Sequence, residues 1–147
     1  MNDSSSAKKN KPLNTFVERK FNISTYDIDI AGHVNNVVHV RWLEDLRTEL
    51  VSKICDFKEL LNNNLYPVVT STEIFYKKQI KYFDNTVGIM ELAEYRHGMF
   101  LLKAVIKSGD EISASATQKF VIINLSASKI CHDLELKKYF HGIDFSN

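Results

Sequence analysis

The sequence predicts an α+β domain: one antiparallel sheet of about five strands packed on a single long helix. Three observations carry that prediction. Apolar residues recur at helical intervals from His39 to Ile54. From Tyr66 onward the period changes to two and holds to Leu125. Short polar or glycine-bearing separators divide that second region into four segments.

Thr15 to Tyr26 opens the pattern as a half-buried strand, with Val17, Phe21 and Ile23 on one face and Glu18, Lys20, Asn22 and Ser24 on the other. Arg19 interrupts the apolar face. The helix follows: His39, Trp42, Leu43, Leu46, Leu50 and Ile54 form a stripe, with Arg41, Asp45, Thr48, Ser52 and Lys53 between them. Arg41 with Asp45, and Glu49 with Lys53, stand four apart, a spacing worth only about 0.2 to 0.5 kcal/mol per exposed pair. Burial of the Trp/Leu stripe must therefore hold the helix. Asn35 or Asn36 supplies the N-cap, because an Asx side chain accepts from a free first-turn amide. Asp56 to Leu65 is a connection with room for a further helical turn. Tyr66–Ile80, Thr86–Arg96, Met99–Lys107 and Glu111–Leu125 then read as strands. Phe83-Asp84-Asn85, His97-Gly98 and Ser108-Gly109-Asp110 separate them as consecutive hairpins. His132 to His141 reads as a terminal helix packing through Leu134, Tyr139 and Phe140, with Gly142 as its stop.

One helix covers one face of such a sheet, so edge pairing or face packing with a second copy is expected, giving a homodimer or homotetramer. The 147 residues suit a single domain, residues 12–147, behind a disordered tail, Met1–Lys11. With 19 basic and 18 acidic residues the net charge is +1, and no basic footprint for nucleic acid is present. Cys55 and Cys131 lack the spacing of a zinc knuckle or a disulfide framework, so reduced thiols in the cytoplasm are expected. No apolar run is long enough for a membrane span.

Chemistry concentrates in the loop Asp27–Asn36, which holds two carboxylates, a histidine, two amides and Gly32. The helix that follows turns its free amides and positive dipole end back toward that loop. Asp29 is a candidate general base or nucleophile. Backbone N–H groups across Gly32, His33, Val34, Asn35 and Asn36 are candidate donors to a carbonyl. His33 could hold a water or fix the turn. Asp27, Asp29 and His33 are too few for a hard-metal or zinc site, so neither metal nor cofactor is expected. Glu44 and Arg47, three apart, should pair structurally. Lys77, Lys78 and Lys81 could meet substrate phosphates or an acidic carrier, or protect a strand.

The run Tyr26-Asp27-Ile28-Asp29-Ile30-Ala31-Gly32-His33-Val34-Asn35-Asn36, continued by Trp42-Leu43-Glu44 and Arg47, resembles the signature of hotdog-fold acyl thioesterases. The likeness is to the 4-hydroxybenzoyl-CoA and acyl-CoA thioesterase type, and through Gly-His-Val-Asn-Asn to the acyl-ACP thioesterases. Glu73 to Ile80, followed by Asp84, is similar to the family's second strand, so the match spans most of Phe16 to Leu125.

The resemblance implies a sheet wrapped round the long helix, continued between subunits, with acyl-CoA or acyl-ACP bound at the subunit interface. It places the catalytic carboxylate at Asp29. In the acyl-ACP branch a His at His33 and an Asn at Ala31 also act; Ala31 departs from that pattern, so the full Asp/Asn/His set is absent. Thioester hydrolysis is the activity implied. A hydroxyacyl-thioester dehydratase and a noncatalytic acyl-thioester binding module are the alternatives; the first wants a His/acid pair in a different motif, and the second predicts binding without cleavage.

Overall fold

The computed structural model describes residues 15–145, so the expected tail Met1–Lys11 lies outside the described residues. The chain enters as strand β1 (Phe16–Phe21), which ends earlier than its alternation suggested because Thr25–Asp27 forms a 3-10 turn. Arg19 lies on the inner face of β1, and its guanidinium reaches Glu49 at 4.0 Å.

Helix α1 (Asn36–Ile54) buries all six residues of the expected stripe, together with Val38 and Val51. Asn35 is the N-cap: its Oδ1 accepts from Val37 N–H at 3.0 Å. The charges on α1 reach other elements instead of their neighbours four residues along. Arg41 lies 3.9 Å from Asp27, and Lys53 donates to the Phe16 carbonyl at 3.1 Å. Rigid groups on β1 and the preceding loop cost less to hold in place than a second flexible side chain. Glu44 and Arg47 do pair, at 3.7 Å. A second helix, α2 (Phe57–Asn62), is capped by Asp56.

Four long strands follow: β2 (Leu65–Tyr76), β3 (Thr86–Arg96), β4 (Met99–Ser108) and β5 (Glu111–Asn124). All pairings are antiparallel, in the spatial order β1-β3-β4-β5-β2, and a two-residue strand β6 (Lys129–Ile130) adds to β5. β3–β4 and β4–β5 are hairpins as expected. The first of the expected hairpins is not: β2 crosses to the far edge and pairs with β5, because β1 takes the free side of β3. The expected terminal helix shrinks to α3 (Asp133–Leu136). Leu136 within it and Phe140 beyond it are buried, whereas Leu134, 84% exposed, does not pack.

The sheet curls round α1, and the core lies between them. Met90, Leu92, Leu102, Ile106 and Phe120 meet the Trp42/Leu43/Leu46/Leu50 stripe in one continuous cluster. Phe21 stacks on Trp42 at 4.9 Å, and Phe100 on Phe120 at 4.5 Å. Gly88 is where β3 passes closest: a Cβ there would sit 2.6 Å from Phe21 and 2.9 Å from Leu46. A polar chain threads the core edge, Arg47 donating to Gln118 Oε1 at 3.0 Å and Gln118 to Thr72 Oγ1 at 3.1 Å. This ties the middle of α1 to the edge strand β2.

Candidate functional site

The segment between β1 and α1 is closed on itself by backbone hydrogen bonds. Asp29 N–H donates to the His33 carbonyl at 2.9 Å, Gly32 N–H to the Asp29 carbonyl at 3.0 Å, and Asn35 N–H to the Asp27 carbonyl at 2.8 Å. Val34 N–H donates to the Ile80 carbonyl at 2.8 Å, which ties the loop to the chain leaving β2. Gly32 sits at φ +82°, the left-handed turn that closes the loop at no Cβ cost.

Within this frame Asp29 folds its carboxylate back: Oδ1 accepts from Ala31 N–H at 2.9 Å and from His33 N–H at 3.3 Å. Both bonds use the same oxygen. Oδ2 has no protein partner among the described residues, and the side chain is half-buried. Asp27 has the opposite character: it is buried, accepts from Ser24 N–H at 2.8 Å and faces Arg41. Of the two carboxylates, Asp29 is therefore the one positioned to meet a ligand.

The set of amide donors is narrower than the sequence suggested. Gly32, His33, Val34 and Asn35 all spend their N–H groups inside the loop or on the chain that follows β2, and the Val34 side chain is core. Val37 N–H is taken by the cap and Val38 N–H by the Asn35 carbonyl. Asn36 N–H, the first of α1, has no partner among the described residues. It carries the helix dipole behind it, one short loop from Asp29.

Two residues that the sequence did not single out for the site complete it. Tyr76, the last residue of β2, donates its hydroxyl to the Asn36 carbonyl at 3.2 Å, so the end of the edge strand lies over the start of α1. Beneath it His39 is buried edge-on to Tyr76, with ring centroids 5.1 Å apart, and neither ring nitrogen has a hydrogen-bond partner. Burial pushes His39 below its ordinary value; the nearby Asn35 carbonyl offsets this in part. Helical spacing assigned His39 to the apolar stripe, and its inward direction was legible there. Tyr76 could be found only through strand parity. Val37 and Val40 are exposed apolar side chains on the first turns of α1.

Lys77 and Lys78 lie just past β2. Both amides donate to the Ser113 carbonyl, and the Lys78 ammonium pairs with Glu111, leaving Lys77 as the freer cation of the two. Cys55 and Cys131 are unpaired and buried, and burial pushes their thiols up to about 12 and about 11. Neither is a nucleophile at neutral pH. Among the described residues no group of three or more His, Cys, Asp or Glu is placed to hold a metal ion, and no helix is long and apolar enough to cross a membrane.

The family model for the thioesterase-like superfamily matches residues 23–132. No curated protein matches the chain. Among solved structures, the probable thioesterase YbaW of Escherichia coli is similar with a TM-score of 0.71 at 22% identity, over 83% of this chain and 92% of that one. The DHNA-CoA thioesterase of Staphylococcus aureus gives 0.74 at 17% identity, over 84% and 83%. A thioesterase from Thermus thermophilus, complexed with coenzyme A and Zn, gives 0.69 at 19% identity, over 79% and 89%. The curled antiparallel sheet on one helix is the fold these structures share with the chain.

Proposed function

Because the chain belongs to the thioesterase-like superfamily, we propose that it hydrolyses an acyl thioester, carried on CoA or on an acyl carrier protein, to free acid and thiol. The observation that carries this reading is that one loop and the helix start it leads into hold a carboxylate whose Oδ2 is unengaged, Asp29, and a helix-terminal amide whose N–H is unengaged, Asn36. Thioester hydrolysis needs those two functions: a base for water, and a donor for the oxygen that becomes anionic.

In the proposed reaction the carbonyl oxygen accepts from Asn36 N–H. Asp29 Oδ2 takes a proton from water as its oxygen bonds to the carbonyl carbon. The tetrahedral intermediate then collapses, the C–S bond breaks, and the thiolate leaves with the proton returned from Asp29. His33 and Gly32 hold the loop in register, and His33 can orient the water from its half-buried position. The Tyr76, Val37 and Val40 surface forms one wall of the acyl site, and Lys77 meets phosphate on the carrier.

The open edge of β2, with its exposed Phe75 and Tyr76, offers main-chain groups to a second β2. The proposal therefore includes a homodimer whose partner strand closes the acyl site, or a homotetramer built from two such pairs. Buried, unpaired thiols fit a cytoplasmic setting. A thiol-release screen with short, long and aryl acyl-CoAs and an acyl carrier protein tests the reading: release above background on at least one substrate supports it, and binding without release on all of them would replace it with a binding module.

A further inference from the structure

At the end of the molecule where α1 begins, two closed turns carry large apolar side chains into solvent. The first is a β-turn. Asp84 N–H donates to the Lys81 carbonyl at 3.0 Å, and Asp84 Oδ2 accepts from Lys81 N–H and from the Ser108 hydroxyl, each at 2.9 Å. Tyr82 and Phe83 occupy its two corners. Their rings meet edge to face with centroids 4.9 Å apart, and Phe83 is 93% exposed. The turn is pinned on both sides, since Ile80 before it is core and the Asn85 carbonyl after it accepts from Gly109 N–H at 2.8 Å. The second is the loop closed by the bridge of Ile28 to Val34, which leaves Ile30 fully exposed. Val34 N–H on the Ile80 carbonyl joins the two, so Ile30 and Phe83 each stand a few residues from one hydrogen bond. Both nearby carboxylates are drawn inward, Asp84 onto its own turn and Asp29 onto its own loop, and the Lys78 ammonium is taken by Glu111. The Lys81 ammonium is in no salt bridge among the described residues.

We propose that these two tips rest on a lipid bilayer with anionic headgroups, Phe83 and Ile30 entering the headgroup boundary, Tyr82 lying across it and the Lys81 ammonium meeting a phosphate. An aromatic ring with a polar tip suits that boundary, where one end is apolar and the other wet. An unpaired cation beside an apolar anchor adds attraction to an anionic surface. A loose loop could fold its rings back onto the protein, whereas a turn pinned at Ile80, Asp84 and Asn85 holds them out. The size of the surface argues for lipid over a protein partner. Ile30, Tyr82 and Phe83 together offer on the order of 500 Å², and a stable protein interface takes about 800 Å² from each side. Two separate projections also suit a fluid surface that closes round each of them. The inference stands apart from the hydrolase reading, because binding is measured without turnover. It sets the Asp29 loop against the phase into which long acyl chains partition.

Co-sedimentation of the full chain with sucrose-loaded vesicles of phosphatidylcholine and phosphatidylglycerol, three to one, tests it. The wild type should pellet in proportion to lipid, and less so as salt is raised, because the Lys81 share of the attraction is screened. Phe83→Ser and Ile30→Ser should each weaken partitioning about tenfold, the worth of one large apolar side chain withdrawn from water. Lys81→Gln should weaken it severalfold. Phe83 and Ile30 are exposed, so the melting temperatures of their variants should match the wild type. Phe83→Trp should keep binding and report on depth. The native tryptophan, Trp42, is buried, so a blue shift in emission on adding vesicles comes from position 83. A wild type that stays in the supernatant at millimolar lipid, a folded Phe83→Ser protein that pellets like the wild type, or a Phe83→Trp emission that vesicles leave unchanged would each overturn the proposal. Capture of the wild type by an acyl carrier protein and not by vesicles, with that capture lost in Phe83→Ser, would overturn it in favour of a protein-docking tip.

Discussion

Replacing Asn36 by proline isolates the proposed carbonyl donor, because it deletes one N–H and little else. The first helical position is where proline is best tolerated, its missing N–H having no intrahelical acceptor and its fixed φ suiting the helix. The residue before a proline is pushed into the extended region, and Asn35 already sits there, at φ −62° and ψ 140°. The two hydrogen bonds that start α1, from Val37 and Val38, do not use the Asn36 amide, and the carbonyl that receives Tyr76 is kept. Stability should therefore change by less than about 1 kcal/mol. Loss of one oxyanion donor costs about 10²- to 10³-fold in kcat. Asn36→Ala is the companion variant: it removes the side chain and keeps the N–H, so it should turn over near the wild-type rate. Both are compared by thiol release on the best substrate of the screen, with thermal unfolding alongside. A folded Asn36→Pro protein as fast as Asn36→Ala would show that this amide does not polarise the carbonyl.

Other outcomes follow from the same geometry. Asp29→Asn keeps an oxygen for Ala31 and His33, so it should fold normally yet lose about 10²- to 10⁴-fold in kcat. Asp29→Ala should lose as much activity and about 1 to 3 kcal/mol of stability in urea, from two missing hydrogen bonds; equal activity of wild type and Asp29→Asn would reduce Asp29 to a loop staple. His39 is held below its ordinary 6.5 by burial, so the unfolded chain takes up the proton first. The His39 contribution to stability should be complete above that value and decline as pH falls through it; His39→Phe should flatten the slope measured by urea unfolding between about pH 8 and pH 5. Gly88→Ala drives a methyl to within 2.6 Å of Phe21 and 2.9 Å of Leu46 and should cost about 1 to 3 kcal/mol by overpacking, read as a lowered melting temperature.

The buried stripe of the long helix was legible residue by residue, because it is decided by one fact, which side faces the core. A cap at Asn35 or Asn36, Glu44 with Arg47, and the full extent of β3 were local facts of the same kind. Strand partnership was not. A separator shows that the chain turns, and the displacement of β2 to the far edge depends on β1, more than sixty residues from the strand it claims. Leu134 and Leu136 are both apolar in a short helix, and only the docking angle of α3 decides that Leu136 is the one buried. At the site, the residues brought together in Asp27–Asn36 were visible as a cluster. The accounting of their amides was not, because one acceptor is the carbonyl of Ile80, which only the folded chain brings near Val34. Tyr76 was missed for the same reason, its partner being a backbone carbonyl with no side-chain signature.

The segment carrying Asp29 is tied to the chain beyond β2 through Val34 N–H on the Ile80 carbonyl, and to α1 through Asp27 beside Arg41, so it has little freedom left to surrender when a ligand arrives. Admission and release then fall to groups outside it. Tyr76, which meets the helix through its hydroxyl on the Asn36 carbonyl and its ring edge-on to His39, would have to give up both contacts to move aside.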